Sequence, residues 1–406
     1  MYYIGIDAAK QLHTAAIKDE QGKQLGDVIE FKNDAQGYES LIKHLTQHDV
    51  LPAKCLVAME STAHYWIPLH SFLTNKDYPV AIVNPLHTNS FRKVGSLRKT
   101  KTDKIDAPLI ADFARFKKPA PTILPPEPMA KLKELSRHRA DTVKNRTTLK
   151  NKATAQCDKL FPELAEVIGG VGCKAARAVM RQFTTPEVVA NTDIRTLTKT
   201  LKSASQGHFG RKHAEALKEA AKNSIGTTFA CDAYEFVLKN LVAQIDFLDE
   251  TIKEIEEEIE RLMAGTSTEY LTSIPGIGEM SASTIAGEIG RPEDFEDASK
   301  LVAFAGLDPS KNQSGEFESA KNHISKRGSG YLRRALVTSA DIARRYDSYF
   351  GDFYDTLRAR GKHHNVALVA VARKLAGVVL AIMKEQREYE RRPSTQSRKL
   401  NAKVAS

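Results

Sequence analysis

Tyr2-Tyr3-Ile4-Gly5-Ile6-Asp7 is an apolar run that ends on a carboxylate, and the order of the segments after it decides the fold. Tyr2 to Ile6 reads as a strand, His13 to Ile17 as a second, and Lys23 to Phe31 as a third after the turn at Gln21-Gly22. Leu41, Ile42 and Leu45 then fall at helical spacing. Cys55 to Met59 reads as a buried strand, Trp66 to Leu73 as a helix and Val80 to Val83 as a strand that Asn84-Pro85 stops. Ile105 to Phe116 closes the series as a helix with Ile105, Leu109, Ile110 and Phe113 on one face. The order βββαβαβα is that of an α/β ribonuclease H-like sheet, expected over residues 1–118.

Pro119, Pro121, Pro125, Pro126 and Pro128 form a stiff connector, because each fixes its own φ and disfavours helix before it. A long basic helix is predicted from Met129 to Leu160, carrying Lys131, Lys133, Arg137, Arg139, Lys144, Arg146, Lys150 and Lys152. A helical insert covers 161–231 and contains Gly169-Gly170-Val171-Gly172. Tyr234, Leu238, Leu241, Ile245, Leu248, Ile252, Ile255, Ile259 and Leu262 alternate steps of four and three, the seam of a coiled-coil helix over 232–264. Its outer positions include Glu254, Glu256, Glu257, Glu258 and Glu260, so it should avoid DNA and meet another helix. That partner is either the basic helix of the same chain or a second copy. An all-α carboxy-terminal domain is expected over 265–385, and a disordered basic tail over 386–406.

The 406 residues carry 60 Lys and Arg against 50 Asp and Glu, a formal charge of +10, which favours a polyanionic partner such as nucleic acid. No segment is expected to match the apolar run of a membrane span, and no secretory signal is read at Met1 onward, so the cytoplasm is the expected location. Cys55, Cys157, Cys173 and Cys231 lie far apart, as reduced structural thiols do.

Asp7 follows the first strand's apolar residues, and Glu60 ends Leu-Val-Ala-Met-Glu in the same way. Asp103 and Asp106, three apart at a helix start, share a face. Four carboxylates meeting at one sheet edge would repel one another unless a cation sat among them. Hard oxygen donors select Mg²⁺ or Mn²⁺, and such ions assist phosphoryl transfer. Taken singly, Asp103 is equally a helix cap and Asp106 a dipole partner. Lys99, Lys101 and Lys104 lie beside the pair as candidate nucleic-acid contacts.

Gly-Ile-Asp7-Ala-Ala-Lys, Ala-Met-Glu60-Ser-Thr-Ala-His-Tyr-Trp and Lys-Thr-Asp103-Lys-Ile-Asp106-Ala resemble the amino-terminal motifs of the IS110 family of insertion-sequence transposases. Ile-Pro-Gly-Ile-Gly278, Ala-Phe-Ala-Gly-Leu-Asp308-Pro and Ile-Ser-Lys-Arg-Gly-Ser-Gly-Tyr-Leu-Arg-Arg-Ala335 resemble its carboxy-terminal transposase domain. The resemblance runs from Tyr2 to about Ala372. It implies a RuvC-like domain with an Asp-Glu-Asp-Asp metal site, a coiled coil and a helical domain with a catalytic serine. It also implies donor and target DNA, a structured non-coding bridge RNA that pairs with both, and a homo-oligomer, dimer or tetramer.

The family's Ser-Gly motif falls on Ser314-Gly315, which makes Ser314 the implied nucleophile, forming a phosphodiester with a strand end. Glu316 and Phe317 stand where the family commonly has a second glycine and a basic residue. Ser310, Ser319 and Ser325 are neighbouring hydroxyls of the kind turns use.

Gly276 and Gly278 suit a helix-hairpin-helix turn that offers backbone N–H groups to phosphate, or a plain helical turn. Lys321, Lys326, Arg327, Arg333 and Arg334 around Gly328 and Gly330 suit a sequence-independent phosphate clamp. Trp66 is expected in the core. Two rivals share this sheet: an actin-like sugar kinase or ATPase, disfavoured because Ala8-Ala9-Lys10 replaces the usual Gly-Thr turn, and a Holliday-junction nuclease that uses only the carboxylates.

Overall fold

The computed structural model describes residues 1–61, 63–95, 103–266, 268–309, 313–314, 317–318 and 323–391, with backbone alone at 94–95, 103–104, 313–314 and 317–318. Lys99, Lys101, Ser310, Ser319, Lys321 and the tail from Arg392 lie outside the described residues. Two compact units divide at Leu124/Pro125.

In the first unit, β1 (Tyr2–Asp7), β2 (Leu12–Lys18) and β3 (Gln24–Lys32) precede α1 (Ala35–Gln47). Then come β4 (Cys55–Glu60), α2 (Trp66–Thr74), β5 (Val80–Val83), α3 (Pro85–Gly95) and α4 (Asp103–Lys117). The sheet order is β3-β2-β1-β4-β5. β1 pairs antiparallel with β2 and parallel with β4, and β5 continues the parallel side. This mixed sheet is compatible with a ribonuclease H-like fold.

Strand alternation sorts the two faces. Ile4, Ile6, Ile17, Val57 and Met59 pack with Leu41, Leu45, Leu69 and Leu73 of α1 and α2, with half-buried Trp66 against the same core. Tyr3, Leu56, Ala58, Ala81 and Val83 pack on the other face with Ile110, Phe113 and Ala114 of α4. Gly5 lies between them because α4 touches the strand there: a Cβ would overlap the Ala107 carbonyl oxygen and the Ala111 nitrogen. Lys18 Nζ holds Asp112 at 2.5 Å and fixes how far α4 slides along the sheet.

Two histidines are sealed into this unit. His13 and His70 are 0% and 2% exposed, and burial pushes both imidazoles below their ordinary 6.5. In the unfolded chain they take up protons near pH 6.5; in the fold they resist, so stability is full above that pH and falls as pH drops through the lowered values. Each histidine adds a slope of at most about 1.4 kcal/mol per pH unit. Melting temperature should therefore fall between pH 7.5 and 5.5, and His70→Leu should flatten the profile; an unchanged slope in that variant would remove His70 from the explanation.

Asn84-Pro85 does more than stop β5. It opens α3, a helix absent from the sequence-based expectation, with Asn84 Oδ1 accepting the Leu86 N–H at 2.9 Å and Pro85 at the first helical position. An asparagine cap followed by proline is a start signal as well as a stop.

The second unit begins with α5 (Glu127–Leu160). The insert comes next as α6 (Leu164–Ile168), α7 (Lys174–Gln182), α8 (Pro186–Asn191), α9 (Ile194–Ala204) and α10 (Arg211–Lys222). α11 (Cys231–Met263) then returns along α5, antiparallel to it, as the ion pairs Arg139–Glu256 at 2.5 Å and Arg146–Asp249 at 2.6 Å require. Leu238, Leu241, Ile245, Ile252, Ile255 and Ile259 are buried, so the apolar seam of α11 is covered within one chain. The insert has its own core, where Phe161, Leu164, Val171, Val179, Leu197 and Leu217 meet the ends of α5 and α11.

Beyond it lie α12 (Thr268–Thr272), α13 (Glu279–Ile289), α14 (Ala298–Phe304), β6 (Gln313–Ser314), β7 (Phe317–Glu318), α15 (Gly330–Tyr346), α16 (Ser348–Ala359) and α17 (His364–Glu385). The expectation of an all-α domain is corrected by β6 and β7, which pair antiparallel with Ser314 opposite Phe317. Two-residue strands are too short to show a period. A second correction concerns α17, whose 22 residues are long and apolar enough to cross a membrane. Val371, Leu375, Val379 and Ile382 are instead buried in this unit's main core, against Leu332, Leu336 and Ile285. Cys55 and Cys157 are buried and all four cysteines are free; burial pushes the Cys55 thiol to about 11 and the Cys157 thiol to about 12.

Candidate active site

Ile6 of β1 lies opposite Met59 of β4 in a parallel ladder, so the next residues, Asp7 and Glu60, end neighbouring strands side by side. Tyr3, Gly5 and Asp7 share the face that α4 covers. Tyr3 clusters with Ile110, Phe113 and Ala114, and Gly5 touches Ala107 and Ala111, so α4 runs antiparallel to β1. Its first turn, Asp103 to Asp106, therefore lies at the Asp7 end of the strand. Sheet register and helix direction together bring the Asp7, Glu60, Asp103 and Asp106 backbone positions to one edge. The side chain of Asp103 lies outside the described residues, as does that of Lys104.

α3 reaches two of the four carboxylates. Thr88 Oγ1 donates to Glu60 Oε1, and Arg92 Nη2 holds Asp106 Oδ1 at 2.6 Å. Asp106 is 4% exposed, and a buried carboxylate without a cation or donors is strongly disfavoured. The guanidinium meets that requirement. Among the described side chains no three His, Cys, Asp or Glu groups stand at metal-holding spacing. Asp7 and Glu60 are half-buried oxygen donors on adjacent strands, and this donor chemistry fits a hard divalent cation.

In the second unit, Ser314 sits at the end of β6, with its backbone alone described. The basic loop before α15 is bolted down. The N–H groups of Ser325, Lys326 and Ser329 donate to the carbonyls of Asp308, Gly306 and Phe304 at 2.8, 3.1 and 2.8 Å. Gly328 is flush against Phe304, where a Cβ would strike the carbonyl oxygen. Lys326, Arg327 and Arg334 are exposed, whereas Arg333 turns inward and donates to the Ala305 carbonyl at 3.0 Å.

Glu288 anchors this loop from below, and no sequence motif singles it out. Its side chain is 1% exposed, takes two hydrogen bonds from Arg137 at 2.5 and 2.9 Å, and accepts the Ser329 hydroxyl at 2.8 Å. Ser329 Oγ also caps α15 by accepting the Leu332 N–H. A lone acid within Ala-Gly-Glu288-Ile, an otherwise apolar stretch, is the signal that could have found it.

Gly276 has φ +94° and packs against Ala343, while Gly278 precedes α13 with open space where its Cβ would lie. Gly170-Val171-Gly172-x-x-x-Ala176 repeats the spacing of Gly276-Ile277-Gly278-x-x-x-Ala282, with both alanines buried. That repetition is visible in the sequence itself.

Residues 4–162 match the family profile of DEDD transposases of the IS110 type, described simply as a transposase. Residues 268–355 match one described as transposase, IS116/IS110/IS902 family, and 161–223 match a SAM-like helix-hairpin-helix tandem. An uncharacterized 44.8 kDa protein of insertion element IS116 from Streptomyces clavuligerus is 27% identical over 401 residues, 96% of each chain. The pilin gene-inverting protein of Moraxella bovis is 24% identical over 96% of this chain and 98% of its own. The transposase of insertion sequence IS1328 from Yersinia enterocolitica is 33% identical over 150 residues, 36% of this chain and 45% of its own. Both units thus carry transposase sequence, and the activity is that of a transposase or recombinase. The chain belongs to the IS110/IS116 transposase family. A DEDD domain implies dependence on a divalent metal.

Proposed function

We propose that this transposase recombines DNA with Asp7, Glu60, Asp103 and Asp106 as its metal-binding set, Ser314 as its nucleophile and a structured bridge RNA as its guide. The observation that carries the reading is the parallel register that sets Asp7 beside Glu60 at the edge where α4 begins. These four carboxylates would hold Mg²⁺ or Mn²⁺, which when bound stabilises negative charge on phosphoryl oxygens. Thr88 and Arg92 keep Glu60 and Asp106 oriented. The Ser314 hydroxyl attacks a DNA phosphodiester, the 3′ or 5′ oxygen of the broken strand leaves with a proton, and the phosphoserine bond stores the energy for rejoining. Lys326, Arg327 and Arg334, with Lys99, Lys101, Lys104, Lys321 and the Gly276–Gly278 turn, contact phosphates, and Arg333 braces the loop that carries Lys326 and Arg327. The working form is a homo-oligomer on the nucleoid.

A second product is open to the same chemistry. Two relatives that match 96% of this chain are named pilin gene-inverting proteins, so recombination between inverted sites would flip a segment instead of moving it. The test is a plasmid carrying donor and target sites, with the purified chain, divalent metal and the element's flanking transcript supplied or withheld. Recombination is expected only with the transcript. Equal recombination without it would remove the guide and leave the carboxylate and serine assignments to be judged by their own variants.

A further inference from the structure

The three arginines of α5 are ion-paired, whereas its Lys144 and Lys152 are exposed and have no acidic partner at ion-pair distance among the described residues. Arg139 and Arg146 are neutralised by Glu256 and Asp249 of α11, and Arg137 by Glu288. In the insert, Arg177 and Arg181 are likewise tied to Asp246, and Arg177 also to Asp249. The insert also carries a cluster of cations without such partners.

It lies on α9. Leu197 and Leu201 face the insert's core, and on the outer side Arg195, Lys199 and Lys202 recur at i, i+4 and i+7. All three are exposed, and among the described residues none has an acidic partner at ion-pair distance. With Arg211 of α10, itself paired to Glu215 at 2.7 Å, they line a concavity of about 480 Å³ together with Ile194 and Thr198. A volume of this order holds a ligand group and exceeds a crevice between side chains. Ile194 and the methylene stems of the basic residues give it apolar surface, and the cationic groups with Thr198 and Ser203 give it polar surface.

We infer that this concavity binds the sugar-phosphate backbone of a nucleic-acid strand, as a contact separate from the carboxylate edge and from the Lys326–Arg334 loop. The chemistry selects that class. A backbone offers sugar C–H groups to Ile194 and the methylene stems, and a row of phosphate oxygens to the row of cations. The span agrees with a stacked strand: Arg195 to Lys202 covers about 10 Å at 1.5 Å per residue, close to the axial rise of three nucleotides at about 3.4 Å each. Its place in the insert, between the two long helices in chain order, gives this segment a task beyond supporting α5 and α11.

RNA and DNA both offer this backbone, and the experiment separates them. The full chain and its Arg195→Ala/Lys199→Ala/Lys202→Ala variant are titrated from 50 to 200 mM salt with single-stranded RNA, single-stranded DNA and duplex DNA of equal length. With the polymer that occupies the site, the variant should bind at least about tenfold more weakly, and the slope of log K against log salt should be shallower by about two to three, from about 0.7 to 0.9 per lost contact. Loss with one polymer names the source; loss with all three marks a general backbone contact. The arginine–lysine exchange R195K/K199R/K202R should bind like the parent, which separates lost charge from a damaged insert. A Lys326→Ala/Arg327→Ala chain, measured alongside, reports on the carboxy-terminal loop alone. Unchanged affinity and slope for all three polymers in the α9 variant would overturn the inference, as would recombination lost with binding intact.

Discussion

Asp7→Asn lowers metal-dependent DNA strand cleavage by about three orders of magnitude, equivalent to about 4 kcal/mol of transition-state stabilisation, and Glu60→Gln does the same. Both changes keep the size of the side chain and remove its charge. Asp7 and Glu60 are half-buried at strand ends, not in the apolar layers above and below the sheet, so folding should survive. That separation makes the prediction sharp: cleavage of a labelled donor site disappears while the melting temperature and the affinity for duplex DNA stay near those of the parent. Asp106→Asn should lose cleavage as well but with lower stability, because it leaves the Arg92 guanidinium without its carboxylate in a half-buried place. Parent-like cleavage in Asp7→Asn would sink the metal assignment. ATP hydrolysis or sugar phosphorylation that vanished in the same variant would transfer the site to the kinase-like rival.

Why so much of this edge was legible in the sequence has a physical reason. Strands β1, β2, β4 and β5 are covered on both faces by helices, so they read as short apolar runs ending on polar residues. A carboxylate that closes such a run sits at a strand end whatever the topology. Register is the part that the sequence does not carry. Asp7 and Glu60 are neighbours only because β4 returns parallel to β1, and that return is set by the packing of α1 and α2, which no local pattern records. Thr88 and Arg92 escape notice for a different reason: Asn84-Pro85 has one local meaning as a strand stop and another as a helix start, and the strand before it favours the first.

The second unit divides along the same line. The seam of α11 shows in the sequence because a 3.5-residue period over many turns has few other causes, but the choice between an internal and an external partner needs the Arg139–Glu256 and Arg146–Asp249 pairs. The hairpin at Ser314 leaves no trace, since two residues per strand cannot alternate, and α17 misleads in the opposite sense. A helix buried on most sides and a helix crossing lipid satisfy the same composition test. Motifs locate the basic loop; its rigidity depends on Glu288 and Arg137, which come from helices distant in sequence.

Ser314→Ala should abolish the covalent protein–DNA adduct, measured as labelled DNA that stays with the protein through denaturation, and should reduce recombination to background. Noncovalent DNA binding should persist, because a hydroxyl supplies little of the phosphate-contact energy. The neighbouring serines sharpen the test. Ser325 Oγ donates to Asp308 Oδ1, and Ser329 Oγ donates to Glu288 while capping α15. Both hydroxyls are committed to holding the loop, so Ser325→Ala and Ser329→Ala should lower stability by about 1 kcal/mol each and keep the adduct. Ser314 ends β6 opposite Phe317 of β7, and in the sequence a glycine, Gly315, follows it. Adduct at the parent level in Ser314→Ala would transfer the nucleophile to another hydroxyl. Adduct lost in Asp7→Asn as well as in Ser314→Ala, with DNA binding kept in both, is the joint result that places the carboxylates and the serine in one phosphoryl-transfer step.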